Sequence, residues 1–242
     1  MRGNVLGFPV DVLTSEQALE RVHEACSNAR PLIVVTLNAE MSMQGLRDPG
    51  LGQVLREAGL VLPDGSGVVW ALRSRGIRVT KLAGVDFLVE TAAWAAREGK
   101  RVYLLGGAPG IADKAAEELL RRSPGLQIAG VRDGFFQPEQ QDEVVAGIRE
   151  SGADVLWVAL GVPRQEKWLH AHLAASGAHV GVGVGGSFDV LAGKVNRAPM
   201  VFQKLHLEWL YRLIQEPWRW QRMCSTLPQF AWRVLSEKGG AR

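Results

Sequence analysis

Asp64, in Leu62-Pro63-Asp64-Gly65, is the carboxylate best placed to do chemistry. Pro63 presets a turn and Gly65 lets another backbone or a ligand come close, so a carboxylate there is suited to take a proton from an attacking hydroxyl as a general base. It is equally suited to cap a helix starting near Ser66, and both readings stand at this point. Thr36-Leu37-Asn38 and Pro163-Arg164-Gln165-Glu166 place hydrogen-bonding side chains after two other apolar runs. They fit the hydroxyl and amide groups of a sugar, and also fit ordinary caps and turns. Arg212, Arg219 and Arg222 are spaced by 7 and 3, one face of a helix if the segment is continuous, although Pro217 predicts a break or kink. Guanidinium forks on that face bind diphosphate oxygens, unless they form a solvated basic face. The chain contains no Asp-x-Asp, so the usual carboxylate pair for a metal-bound nucleotide-sugar is missing and cations would have to meet a departing diphosphate instead. The histidines show no HExxH or similar spacing, and no metal site is expected.

Two glycine patterns invite a nucleotide reading. Gly106-Gly107-Ala108-Pro109-Gly110 follows an apolar run and precedes an Ala-rich helical pattern, so its backbone N–H groups are candidates to face a phosphate. A tight turn that needs glycine for steric reasons explains it as well. Gly181, Gly183 and Gly186 formally satisfy GxGxxG, but at the last strand, with His206 where an acidic partner belongs. A dinucleotide-dependent oxidoreductase is therefore disfavoured.

The elements that must hold these residues read as strands at 31–38, 60–65, 101–107, 126–134, 154–160 and 179–186, with helices at 15–29, 39–57, 66–75, 83–98, 110–122, 138–150 and 163–176. Near-continuous apolar runs alternating with helical patterns predict an α/β fold: a Rossmann-like, three-layer, mostly parallel sheet. Ligands of such sheets bind beyond the carboxyl ends of the strands, where the candidates above collect. Asp133 and Asp189 belong to the same rim.

At 242 residues and 47% hydrophobic, the chain supports one main domain with a small appendage. We divide it into a body, 1–197, and a C-terminal helical, basic, membrane-engaging appendage, 198–242, with a hinge at Ala198-Pro199. From Arg197 onward eight Lys and Arg oppose three Glu, a net +5 against +3 for the whole chain, so the remainder is near −2. Trp209, Trp218, Trp220 and Trp232 accompany those charges, and Phe202, Leu205, Trp209 and Leu213 step as an amphipathic helix does. That stripe suits a membrane surface, the body, or a second copy of the chain. The N-terminus lacks a continuous apolar segment of the secretory type, and the longest uncharged apolar run, Val155 to Pro163, is too short to span a bilayer. Cys26 and Cys224 match no ligand or CxxC spacing and are expected to be buried free thiols in a reducing cytoplasm. A pI near 9.1 permits nucleic-acid binding, and a nucleotide-binding regulatory protein with a nucleic-acid-contacting tail is the alternative. The basic excess is confined to the tail and is anchored by apolar residues, so no nucleic-acid partner is expected.

Taken together, TLNAEM (36–41), LPDGSGVVWA (62–71), LLGGAPGIADKAAEEL (104–119), DGFF (133–136), VALGVPRQEKW (158–168), GVGGSFDVLAGKVNRAP (183–199) and LEWLYRLIQEPWRW (207–220) resemble the WecG/TagA/CpsF family of bacterial glycosyltransferases, from about Val5 to Trp220. The resemblance implies an inverting, metal-independent enzyme without cofactor. Such an enzyme moves N-acetylmannosamine, its uronic acid or another hexose from a UDP donor to an undecaprenyl-diphosphate-linked sugar at the cytoplasmic face of the membrane. The products would be wall teichoic acid, enterobacterial common antigen or exopolysaccharide. Carried onto this chain, it implies Asp64 as catalytic base and Thr36, Asn38 and Gln165 near the donor sugar and its phosphates. Asp189 with Gly106, Gly107 and Gly110 fall on the nucleotide side, and Arg212, Arg219 and Arg222 fold over the site when the membrane is engaged. The family usually has a prolyl or small turn where this chain has Leu37, for which only a packing change is expected.

Overall fold

The computed structural model describes residues 1–204, 208–215, 217 and 220–239, without the side chains of 203, 204, 212, 221, 222, 238 and 239. Six parallel strands form one sheet in the order β4 (Leu60–Pro63), β3 (Leu32–Leu37), β8 (Val180–Gly183), β7 (Val155–Ala159), β5 (Arg101–Gly106) and β6 (Gln127–Arg132). Successive side chains of a strand point to opposite faces, and here both faces are apolar. Val34, Leu62, Leu104 and Trp157 enter one core with helices α1 (Ser15–Ser27), α5 (Gly84–Arg97), α6 (Ile111–Arg122) and α9 (Ser187–Leu191). Their neighbours Val35, Val61, Leu105 and Val158 enter two cores on the other side, with α2 (Ala39–Arg47), α3 (Pro49–Glu57), α4 (Ser66–Arg73), α7 (Gln141–Ser151) and α8 (Arg164–Ser176). This is the three-layer α/β fold that the alternation predicts. Burying each Leu- or Val-sized side chain stabilises it by roughly 1.5–3 kcal/mol before entropy is counted.

Departures from the expected elements have local causes. The helix expected over 39–57 is two, because Pro49 cannot continue α2. Asp48 ends that helix, and its carboxylate accepts from the Leu51 N–H at 3.1 Å to start α3 with Pro49 in the first turn. A short antiparallel hairpin, β1 (Arg2–Val5) and β2 (Phe8–Asp11), was not anticipated. The Asp11 carboxylate accepts from Arg2 at 2.8 Å and from the Val61 N–H at 2.8 Å, which ties the hairpin to the edge strand β4. In the tail, helix is described over α10 (Met200–Lys204) and α11 (Glu208–Gln215), which carry Phe202, Trp209 and Leu213 of the expected stripe, and Leu205 lies outside the described residues. The last helix, α12 (Trp220–Gly239), holds Pro228 in its interior and packs on α2 and α4, where Phe230 and Val234 join the same core as Val35 and Val61. Cys26 is buried as expected, whereas Cys224 sits on the outer surface of α12 and is exposed.

The turn after β5 explains its glycines sterically. Gly106 has φ +124°, and a Cβ there would lie 2.5 Å from the carbonyl carbon and oxygen of Ala159. Gly106→Ala therefore adds both backbone strain and overlap with β7. We expect a loss of about 2 kcal/mol or more, read as a denaturant midpoint that falls without a change in slope.

Candidate active site

A cavity of about 460 Å³ opens at the carboxyl ends of β3, β4 and β8. Asn38, Gly65, Gly84 and Gly186 stand at its wall, where α2, α4, α5 and α9 begin, so first-turn N–H groups, which have no partner within their own helix, and the positive ends of helix dipoles collect there. Such a concave site, with a polar rim on an apolar body, suits an anionic ligand of nucleotide-sugar size.

Thr36, Asn38, Asp64 and Gln165, four residues singled out from sequence, all line this cavity. The Asp64 N–H donates to Leu37 O at 2.9 Å, which locks the turn after β4 onto the end of β3. The cap reading of Asp64 does not hold: Gly65, at φ +81°, is the N-cap of α4, and no side chain caps that helix. Asn38 does cap, its Oδ1 accepting from the Met41 N–H at 2.9 Å, and this leaves its NH2 group for the cavity side. Thr36 donates from Oγ1 to Gly183 O at 3.3 Å. Gln165 is 1% exposed and its amide is committed within the protein, accepting from the Gly185 N–H at 3.1 Å and donating to Glu166 Oε1 at 2.6 Å.

The other candidates fall elsewhere. Gly106, Gly107 and Gly110 are not among the residues lining this cavity. Gly107 donates to Ala159 O at 3.0 Å and Gly110 is the left-handed N-cap of α6. Beside that turn Gly134 donates to Gly107 O, and the next residue, Phe135, is 75% exposed. Asp189 also lies off the cavity lining, paired with Lys194 at 3.2 Å. The side chains of Arg212 and Arg222, and Arg219 altogether, lie outside the described residues.

Three residues at or behind the cavity were not selected from sequence. Lys81 is brought there because the following Leu82 N–H donates to Pro63 O at 2.9 Å. Its ammonium pairs with Glu208 at 2.6 Å, which links the start of α11 to the body inside the cavity. Gln215, at the other end of α11, exchanges two hydrogen bonds with the Asn196 backbone, at 3.0 and 2.9 Å. Glu166 lies behind the wall, and burial pushes its carboxyl up to about 7, the hydrogen bond from Gln165 opposing only part of that rise. Its Oε2 is buried with no hydrogen-bond partner among the described residues.

The raised Glu166 carboxyl has a stability consequence. Below its ordinary value of 4.5 both folded and unfolded chains hold the proton, and between there and about 7 only the folded chain does. Stability therefore declines as pH rises through that window and levels off above it, by an amount on the order of 3 kcal/mol. Glu166→Gln removes this slope, so the thermal midpoints of variant and parent should diverge between pH 5 and roughly 7.5 in the variant's favour.

Among the described residues no group of three or more His, Cys, Asp and Glu is arranged to hold a metal ion, and no described helix is long and apolar enough to cross a membrane. Fold and cavity together define an α/β protein with a concave site beyond the carboxyl ends of its strands, where ligands of such sheets bind. The family model described as "Glycosyl transferase WecG/TagA/CpsF family" matches residues 3–242, and the chain belongs to that family of glycosyltransferases. It is 38% identical over 206 residues to an N-acetylglucosaminyldiphosphoundecaprenol N-acetyl-beta-D-mannosaminyltransferase of Bacillus spizizenii, covering 85% of this chain and 79% of the relative. It is 37% identical over 207 residues to the enzyme of the same name from Bacillus subtilis, covering 85% and 80%.

Proposed function

We propose that this glycosyltransferase moves N-acetylmannosamine or a related hexose from a UDP donor onto an undecaprenyl-diphosphate-linked sugar, with inversion and without a metal ion, in cell-surface polysaccharide or teichoic acid synthesis. The observation that carries this reading is the gathering of Thr36, Asn38 and Asp64 with Lys81 in one cavity at the strand ends, in a chain more than a third identical to two enzymes named for such a transfer. In the proposed reaction Asp64 takes the proton of the acceptor hydroxyl as that oxygen attacks the anomeric carbon from the face opposite UDP. The C–O bond to the β-phosphate breaks as the new glycosidic bond forms, and UDP leaves with its electron pair. Lys81, the helix starts around the cavity, and Arg212, Arg219 and Arg222 meet the developing charge.

We assign Thr36, Asn38 and Gln165 to the donor sugar and its phosphates, Gln165 lining the cavity with an amide that is also bonded within the protein. Gly106, Gly107, Gly110 and Asp189 are assigned to the nucleotide side. Gly106 packs on Ala159, two residues before the cavity residue Gly161, so a ligand leaving the cavity along this rim meets that turn next. Body and appendage, 1–197 and 198–242, divide the labour: the base and the donor-sugar contacts in the first, the leaving-group arginines and the membrane contact in the second. Exposed Met200, Val201, Trp209, Ile214, Trp220 and Trp232 support a peripheral position on the inner face of the cell membrane, with self-association as the other cover for that surface.

The test is incubation with UDP-N-acetylmannosamine, other UDP-hexoses and N-acetylglucosaminyl-diphosphoundecaprenol. The expected result is UDP release with a disaccharide-lipid product of inverted anomeric configuration, undiminished by EDTA. No transfer from any UDP-hexose would overturn the proposal, and loss of turnover with EDTA would overturn its metal-free form.

A further inference from the structure

From Gln165 at the cavity wall a buried polar chain runs back to Glu166, a residue that the proposed chemistry does not use directly. The Gly185 N–H donates to Gln165 Oε1 at 3.1 Å, and Gln165 Nε2 donates to Glu166 Oε1 at 2.6 Å. A backbone N–H can only donate, so this contact fixes which end of the Gln165 amide faces Gly185. The other end then needs an acceptor, and Glu166 supplies it. Both residues are 1% exposed, and strand β8 runs directly over them: a Cβ on Gly183 would lie 2.8 Å from Gln165 Nε2 and 3.1 Å from Glu166 Oε1. The Gly183 carbonyl in turn accepts from Thr36 Oγ1. One chain of contacts thus runs from Glu166 through Gln165 to the Gly183–Gly185 end of β8 and across to Thr36 at the cavity.

We propose that Glu166 is a positioning residue for the transfer reaction: by holding the Gln165 amide in a single orientation, it fixes the Gly183–Gly185 wall against which Thr36 and the donor sugar are aligned. The proposal rests on the transferase reading above for its kinetic consequence, and on the geometry alone for its structural one. An acceptor at Oε1 is all the chain requires of Glu166, so a neutral carboxyl with its proton on Oε2 serves, as does the amide of a glutamine. A methyl group in its place leaves Gln165 Nε2 without a partner in the interior, free to reorient the amide and release Gly185. Misplacement of a positioning wall is felt in the chemical step more than in donor affinity.

The test compares Glu166→Ala and Glu166→Gln. We expect Glu166→Ala to lower kcat on the order of 10-fold or more with donor KM within about threefold of the parent, and Glu166→Gln to restore kcat to within about threefold. Wild-type kcat in folded Glu166→Ala would overturn the proposal. So would a Glu166→Gln variant as impaired as Glu166→Ala, because ionisable chemistry rather than positioning would then be needed. A second readout does not depend on turnover: in protein labelled with 15N-glutamine, the Gln165 side-chain NH2 should be protected from hydrogen exchange in the parent and in Glu166→Gln, and exchange on the order of 10-fold faster in Glu166→Ala. Unchanged protection in Glu166→Ala would overturn the positioning itself. Absence of transfer by the parent protein, with the exchange result as expected, would remove the transferase reading and leave the positioning chain standing.

Discussion

Asp64→Asn is expected to lower kcat on the order of 10²-fold or more while UDP binding, followed by calorimetry or thermal shift, stays within a few-fold of the parent. Asparagine keeps the size of the side chain and hydrogen-bonding capacity but cannot accept the hydroxyl proton. The backbone contact that fixes this turn, Asp64 N–H to Leu37 O at 2.9 Å, does not involve the side chain, and α4 is not capped by it. The substitution therefore removes a base while leaving that backbone contact and the start of α4 as they are. Because the proton moves only as the glycosidic bond forms, the loss belongs in kcat, and donor affinity should be spared. Turnover by Asp64→Asn at the parent's rate would take Asp64 out of the role.

Deleting residues 198–242 is expected to have the second large effect, and on two measurements at once. Phe230 and Val234 are 2% and 0% exposed in the core shared with β3 and β4, Met223 is buried nearby, and Glu237 pairs with Arg75 at 2.5 Å. Removing Phe230 alone costs about 3 kcal/mol, so the truncated chain should lose on the order of 10 °C in Tm and expose an apolar face of α2 and α4. Activity on a lipid acceptor should fall about 10²-fold or more, since Glu208, Trp209, Tyr211, Met223 and Leu227 leave the cavity wall and the proposed leaving-group arginines are deleted with them. Arg219→Ala and Arg222→Ala separate the two losses: both should depress kcat while Tm stays within a degree or two. A truncated chain as active and as stable as the full one would contradict this account.

The sheet was readable because strands buried on both faces must be apolar almost without interruption, as in PLIVVTLN and DVLWVAL, and because each is followed by helical periodicity. The break at Pro49 was present in the sequence but was outweighed by the apolar pattern on either side of it. Thr36, Asn38, Asp64 and Gln165 were legible for one reason: in a parallel sheet, polar residues just after buried strands share an edge. Lys81 carries no such mark. It lies in an aperiodic connection, and only the pairing of Leu82 with Pro63 delivers it to the cavity. Glu208 reaches the same place from 127 positions away, a pairing that no local pattern encodes. Glu166 was visible beside Gln165, but a charged residue in the first turn of a helix ordinarily faces water; its burial depends on how α8 lies under β8. The glycines after β5 gave a sound turn and an ambiguous ligand signal, since steric need and phosphate contact select the same residue.

α12 presents two opposed surfaces: Phe230 and Val234 point inward, while Trp232 at 71% and Leu235 at 54% exposure face out. A helix so moored cannot lift from the body without opening the hydrophobic interior behind it. If the proposed membrane contact holds, a rearrangement on docking to lipid that spares the fold is confined to positions before α12, and the outward indole of Trp232 acts as a fixed keel for the angle of approach.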